Sequence, residues 1–396
     1  MKTCSRLRFF IAVAGLLTVL PVGGRYASAQ APPLSSSPGR VGMPMNLPGG
    51  AVPGADEFRF MLTSNYAHME GLGHGTEPMA AGSINASDLL ASPKMGKMPA
   101  GKYPAVPTSM DTEMVGFGVG YSFSARLFGA VMGSWVRDSM GMEMTMAAGG
   151  GMTPKRSPVT ANNAGRMTVS KTVTSSMGSD GFGDTMLVGK YLVYTNDLQV
   201  PTTHLSLYFG LSLPTGSIEQ GNYKGPLPYM MQLGSGTVDP AWGLVYQASA
   251  SPYWWGADAI FTPRLYDNSE GYRLGDQFNY DLYLMYRLGD QLVPELQLNG
   301  YWQDRIHGAM EAATSGEVGH VMRGVPSSPY MMPGWDPANY GGHALWITTG
   351  FQWQPLARWM MELQIGTPLY QYLNGPQLQR RFRLTFVLCH RLPTPW

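Results

Sequence analysis

The sequence predicts an all-β protein, a transmembrane antiparallel β-barrel of about twelve strands with long extracellular loops and short periplasmic turns. Three observations predict it. Apolar and polar residues alternate over segments of about ten residues, the length a tilted spanning strand requires. The connections between those segments alternate between long and short. Charged residues are 13% of the chain, against roughly 25% in ordinary globular domains. Beyond the N-terminus no stretch approaches the ~18 uninterrupted apolar residues of a spanning helix, so a bilayer crossing must use strands, and only a closed barrel satisfies their backbone there.

The N-terminus decides the compartment. Lys2, Arg6 and Arg8 precede an apolar run from Phe9 to Leu20, and Ala27-Ser28-Ala29 supplies small residues at the cleavage spacing, so residues 1–29 read as a secretory signal peptide. Residues 30–55 are rich in Pro, Gly and Ser without a hydrophobic period, which predicts a flexible periplasmic leader. The barrel is expected over 56–396. Cys4 falls within the signal, which leaves Cys389 alone and excludes an internal disulfide or a thiolate metal cluster. A net charge of +1 argues against nucleic acid, whose binders concentrate basic charge.

Each strand is read from its period of two. Leu205, Leu207, Phe209, Leu211 and Leu213 face one way and Ser206, Tyr208, Gly210 and Ser212 the other. Phe278, Tyr280, Leu282, Leu284, Tyr286 and Leu288 oppose Asn279, Asp281, Tyr283, Met285 and Arg287. Leu296, Leu298 and Trp302 oppose Glu295, Gln297, Asn299 and Tyr301, and the last strand sets Phe382, Leu384, Phe386 and Leu388 against Arg383 and Thr385. Strands are expected near 57–66, 112–123, 125–136, 181–194, 202–213, 238–250, 254–265, 277–287, 292–303, 343–354, 358–366 and 380–390. Long connections (67–111, 137–180, 214–237, 266–276, 304–342 and 367–379) alternate with short ones. A secreted sandwich or propeller would also show short alternating strands, but it explains neither this alternation nor the aromatic strand ends at Tyr253, Trp254, Trp255, Phe351, Trp353 and Trp359, which suit interfacial girdles.

Three stretches carry a family resemblance: Gly181-Phe182-Gly183-Asp184 leading to Gly189-Lys190-Tyr191; Leu211-Ser212-Leu213-Pro214-Thr215-Gly216; and Leu233-Gly234-Ser235-Gly236-Thr237 with Asp239 and Gly243. Together they resemble the outer-membrane barrel "transporter" family of the MetA pathway of phenol degradation. The resemblance implies a barrel in the bacterial outer membrane with a transport role. The methionine-rich loops depart from that family's pattern, and a role in phenol metabolism is not carried over. The end of the chain also departs from the usual aromatic last strand, because Pro393 and Pro395 cannot donate to a ladder. The barrel assembly machinery, an expected partner along with outer-membrane lipid, would then read an internal signal around Phe386 to Leu388.

Two residue sets could carry chemistry. The chain has 28 methionines, and Met140, Met142, Met144 and Met146 recur at every second residue, which aligns four sulfurs along one side of an extended segment. Met95 and Met98 stand three apart, and His68 and His74 add imidazoles to the first loop. Thioethers favour soft ions, so the set predicts either a Cu(I) or Ag(I) site or packing of loops over the barrel mouth. No other cofactor is implied. The second set is Lys190, Asp281, Arg287, Glu295, Glu362 and Arg383, predicted to face the lumen and either to line a solute path or to pair and fill it. No nucleophile-base motif, phosphate loop or HExxH pattern occurs, which argues against an enzyme. The reading is an outer-membrane channel or transporter for a small solute or soft metal ion; the alternative is a non-conducting, metal-sequestering or surface-interaction barrel.

Overall fold

The structure is a computed structural model that describes residues 42–47, 56–85, 103–147, 170–197, 202–222, 225–310 and 330–394. Residues 1–29, expected to be a signal peptide, lie outside the described residues, as do Met95 and Met98. Twelve long strands build the wall: β1 (Glu57–Gly75), β2 (Ala105–Ser122), β3 (Leu127–Ala147), β4 (Ser170–Phe182), β5 (Thr185–Thr195), β6 (Thr203–Leu213), β7 (Asp239–Ala250), β8 (Tyr253–Thr262), β9 (Gln277–Tyr286), β10 (Leu292–Gln303), β11 (Gly342–Leu356) and β12 (Trp359–Pro393). Neighbours in sequence pair antiparallel except β4 and β5, which both pair with β3, and β12 closes the ring on β1 through a register from Glu57↔Pro393 to Gly75↔Leu373.

Eleven of these strands form the closed ring, while β4 stands above β5 on the same neighbour, β3. β12 is 35 residues long and doubles back. Its first half pairs with β11 and its second with β1. The halves meet where the Arg391 N–H donates to the Arg358 carbonyl (2.9 Å) and the Thr367 hydroxyl to that of Arg381 (3.2 Å). Counted as staves, with β4 and β5 as one and β12 as two, the wall has the twelve that the pattern predicts. The long connection expected at 367–379 is instead strand throughout.

The first two expected loops also change character. β1 to β4 run on past the bilayer as strands of 13 to 21 residues, where about 9 to 11 suffice to span. Met140, Met142 and Met144 therefore sit on a strand and not in a loop, because the alternation that aligned them is itself strand pattern.

Outward positions are apolar, as the period required: Leu282, Leu284, Leu296, Leu298, Leu363 and Ile365 are all exposed. Aromatic pairs bound the apolar band, with Tyr253–Tyr286 (5.3 Å) and Phe58–Tyr121 (4.6 Å) at the short-turn end. Trp242–Phe261 (5.9 Å) and Trp135–Phe182 (4.9 Å) mark the other. Trp254 departs from the expected girdle: it points inward and is buried.

Candidate functional site: a two-sided lumen with an internal plug

The lumen is occupied by the chain's own residues 42–47. For this stretch the expectation of a flexible periplasmic leader is corrected. Here Gly42 to Leu47 lie along β8 to β12, with Met43 and Leu47 buried among Trp254, Tyr283, Met285 and Val293. The sequence reading missed it because six residues with one proline show no period. The usable signal was on the facing strands, which carry more inward amides than a water-filled pore needs.

Those amides hold the segment. Glu362 accepts the backbone N–H of Met45 (2.6 Å) and of Asn46 (3.0 Å) on its two oxygens. The Gln352 amide donates to the Met43 carbonyl (3.0 Å) and to Glu362 (2.8 Å), and Gln364 donates to the Asn46 side chain (2.9 Å). Asn46 and Gln297 exchange amide bonds of 3.3 and 3.1 Å. Tyr283 donates its hydroxyl to the Gly42 carbonyl (3.2 Å). Gly42 is required, since a Cβ there would stand 2.7 Å from the Trp254 ring. A segment outside helix and sheet carries backbone donors and acceptors that burial must satisfy, and this wall pairs the N–H groups of Met45 and Asn46 and the carbonyls of Gly42 and Met43.

The opposite wall is mainly apolar, with Arg59 toward its short-turn end and Asp184, Asp239 and Arg264 toward its long-loop end. Between it and the plug lies a cavity of about 550 Å³, reached by Met61, Met114, Phe128, Met132, Val188 and Ile260. Gly116, Gly118 and Gly120 line it from β2, and the space they leave lets Phe128 and Met132 lie across that strand.

The predicted lumen residues divide by place. Lys190, Asp281, Glu295 and Glu362 are buried on the inward face. Lys190 donates to Gln247 (3.0 Å) and Asn299 donates to Asp281 (2.6 Å). Gln364 bridges Glu295 and Glu362. Arg383 donates to Asn299 and to Thr348 (3.0 Å) and lies 4.9 Å above the Trp346 ring. Arg287 falls one residue past β9, half-buried at the short-turn rim. The set is thus bound into networks and into the plug, closer to the filled-lumen alternative than to an open polar path.

Of the metal candidates, Met140, Met142 and Met144 are buried together in a cap over the long-loop end, with Met110, Met231, Met332 and Trp335. Met146 belongs to the same strand, and its side chain lies outside the described residues. The two histidines are not brought to them. His68 faces outward, held 2.7 Å from Asp111, and His74 is exposed at the end of β1. Among the described residues, no group of three or more His, Cys, Asp or Glu side chains could hold a metal ion.

The three motifs that carry the resemblance meet in one knot at the β4–β5 break. Asp184 accepts the Gly216 N–H (3.0 Å) on one oxygen and the Ser235 N–H and hydroxyl (2.8 and 3.0 Å) on the other. Thr215 donates to the Gly183 carbonyl (3.1 Å) and accepts from the Thr185 N–H (2.8 Å). Gly216 and Gly234 allow the approach, since a Cβ on either would come within 2.6 Å of the other segment.

Comparison with known proteins agrees with this architecture. The crystal structure of the COG4313 outer membrane channel from Pseudomonas putida F1 superposes with a TM-score of 0.50 at 10% identity, covering 88% of this chain and 99% of that one. A Pseudomonas aeruginosa FadL homologue gives a TM-score of 0.37 at 11% identity over 85% and 90%. No curated protein sequence matches. Residues 149–324 match the family model described as "Putative MetA-pathway of phenol degradation". The chain is thus an outer-membrane β-barrel that carries, over those residues, the resemblance its three motifs pointed to.

Proposed function

We propose that this barrel is a channel for small apolar solutes, which pass beside the plug through the cavity on the apolar wall. The observation that carries the reading is the division of the lumen, with Gln352, Glu362 and Gln364 bound to residues 42–47 and the remaining space lined mainly by apolar side chains such as Met61, Met114, Met132, Val188 and Ile260, while Arg264 and Asp239 pair with each other at its long-loop end. Such a pocket suits an apolar ligand, and its apolar middle offers an ion little to replace its water. This ranks the channel above the non-conducting alternative and gives the polar networks a structural task.

The test is flux into liposomes carrying the folded protein. A small aromatic probe should enter faster than into empty liposomes, while ion conductance in planar bilayers stays low. Gly116→Phe should cut probe flux, because a Cβ at Gly116 meets nothing closer than 3.7 Å and the ring can enter the cavity. Glu362→Ala should raise ion conductance by stranding the two N–H groups of the plug, at about 1 to 3 kcal/mol each. Unchanged probe flux in Gly116→Phe would overturn the route.

A further inference from the structure

We propose that the cap holds a soft-metal site, a row of thioethers from Met69, Met110, Met140 and Met177 that takes one Cu(I) or Ag(I) ion. The row is set by register. Met69 stands opposite Met110, Met110 opposite Met140, and Met140 opposite Met177, so β1 to β4 each place a methionine at one level. Met110 and Met140 are buried, and Met69 and Met177 pack against the same cluster. Directly opposed residues hold their Cβ atoms about 4.5 to 5.5 Å apart. Methionine's three rotatable bonds then let adjacent sulfurs turn to a common point. The sequence pattern pointed along one strand, through Met140, Met142, Met144 and Met146; the register turns the site across strands.

Two further observations separate this row from ordinary packing. The cap cluster draws six of its fourteen buried members from methionine, namely Met110, Met140, Met142, Met144, Met231 and Met332. The plug cluster draws two of ten, Met43 and Met285, and apart from Ala241 is otherwise filled by branched and aromatic side chains. The second observation is charge. One rung below on the inward face lie Thr112, Asp138 and Ser179, in register with one another. Asp138 is 5% exposed and accepts the Thr112 hydroxyl at 2.6 Å. Buried charge is costly unless compensated, and a monovalent cation on the neutral thioethers above supplies that compensation. Thioethers also discriminate against Mg(II) and Zn(II), which prefer harder donors.

The site is independent of the channel reading, and its test uses binding alone. The full chain, folded in detergent with methionine methyl groups 13C-labelled, is titrated with silver nitrate in chloride-free buffer. A few methionine signals should shift and saturate near one ion per chain at pH 7. Met110→Leu with Met140→Leu keeps the apolar volume and should abolish saturable binding, whereas Met43→Leu with Met285→Leu should not. Asp138→Asn should weaken binding by about tenfold or more. If the first pair fails to give the heat-sensitive gel shift of a folded barrel, Met69→Leu with Met177→Leu is read in its place. A wild type without saturable shifts, or a folded row variant with wild-type affinity, overturns the proposal.

Discussion

Single side chains on this barrel have meaning only through the face they occupy, and parity assigns that face. Leu284 is 46% exposed on the outer wall, so Leu284→Arg should cost about 2 to 4 kcal/mol if the site lies near midplane. Urea unfolding of the protein in bilayers measures it, and tolerance equal to that of an extramembrane site would show the face wrongly assigned. Parity alone would predict that arginine at Gln297 is mild, since that position faces the lumen. The structure reverses this, because Gln297 is buried and holds Asn46. Gln297→Arg should displace the plug and raise ion conductance. The inward direction of Gln297, Glu295 and Glu362 was legible from their strands. The partner of Gln297 and Glu362 was not, because the plug lies 251 and 316 residues away from them in a segment whose sequence carries no period.

At the scale of elements, strand positions were legible to within a few residues inside the bilayer and not above it. In the membrane one face meets lipid and the other the lumen, so the period is sharp. Above it, β1 to β4 face the cap on one side and water on the other, and glycine, serine and methionine blur the contrast over 67–75 and 137–147. The motifs show a second limit. Each was readable as a turn, but their meeting at Asp184 was not, since hydrogen bonding between three separate segments leaves no periodic trace. Asp184→Ala leaves three donors from Gly216 and Ser235 without that acceptor. Each buried group left unpaired costs about 1 to 3 kcal/mol, so the temperature at which the barrel loses its folded gel mobility should fall. Asp184→Asn keeps one carbonyl acceptor and should lie between wild type and alanine. An alanine variant that melts with the wild type would show that the β4–β5 break is held by the ladder alone.

For the whole molecule, the consequence of closure is that outside and inside are set against each other by one alternation, and the inside is divided again into a wall that binds the plug and a wall that does not. On the channel reading, selectivity belongs to the division and to no single residue, and the chain carries its own reporter for it. Cys389 lies in β12 and lines the cavity with Met61 and Met360. Cys4 is the one other cysteine and is replaced by serine for the measurement. A small neutral aromatic maleimide should label Cys389 in the folded protein, because its apolar body can shed water into the cavity. A thiosulfonate with a fixed positive charge should react far more slowly, since the apolar middle of the route gives that charge little compensation and Arg59 lines the same cavity. Removing residues 42–47 opens the polar wall to water, so the charged reagent should gain most of the lost rate while the neutral one gains little. Mass spectrometry of the intact chain reads both rates. Equal labelling by the two reagents with the plug in place would mean that the lumen admits water along its length, and the separation of a dry route from a plug-binding wall would fall with it.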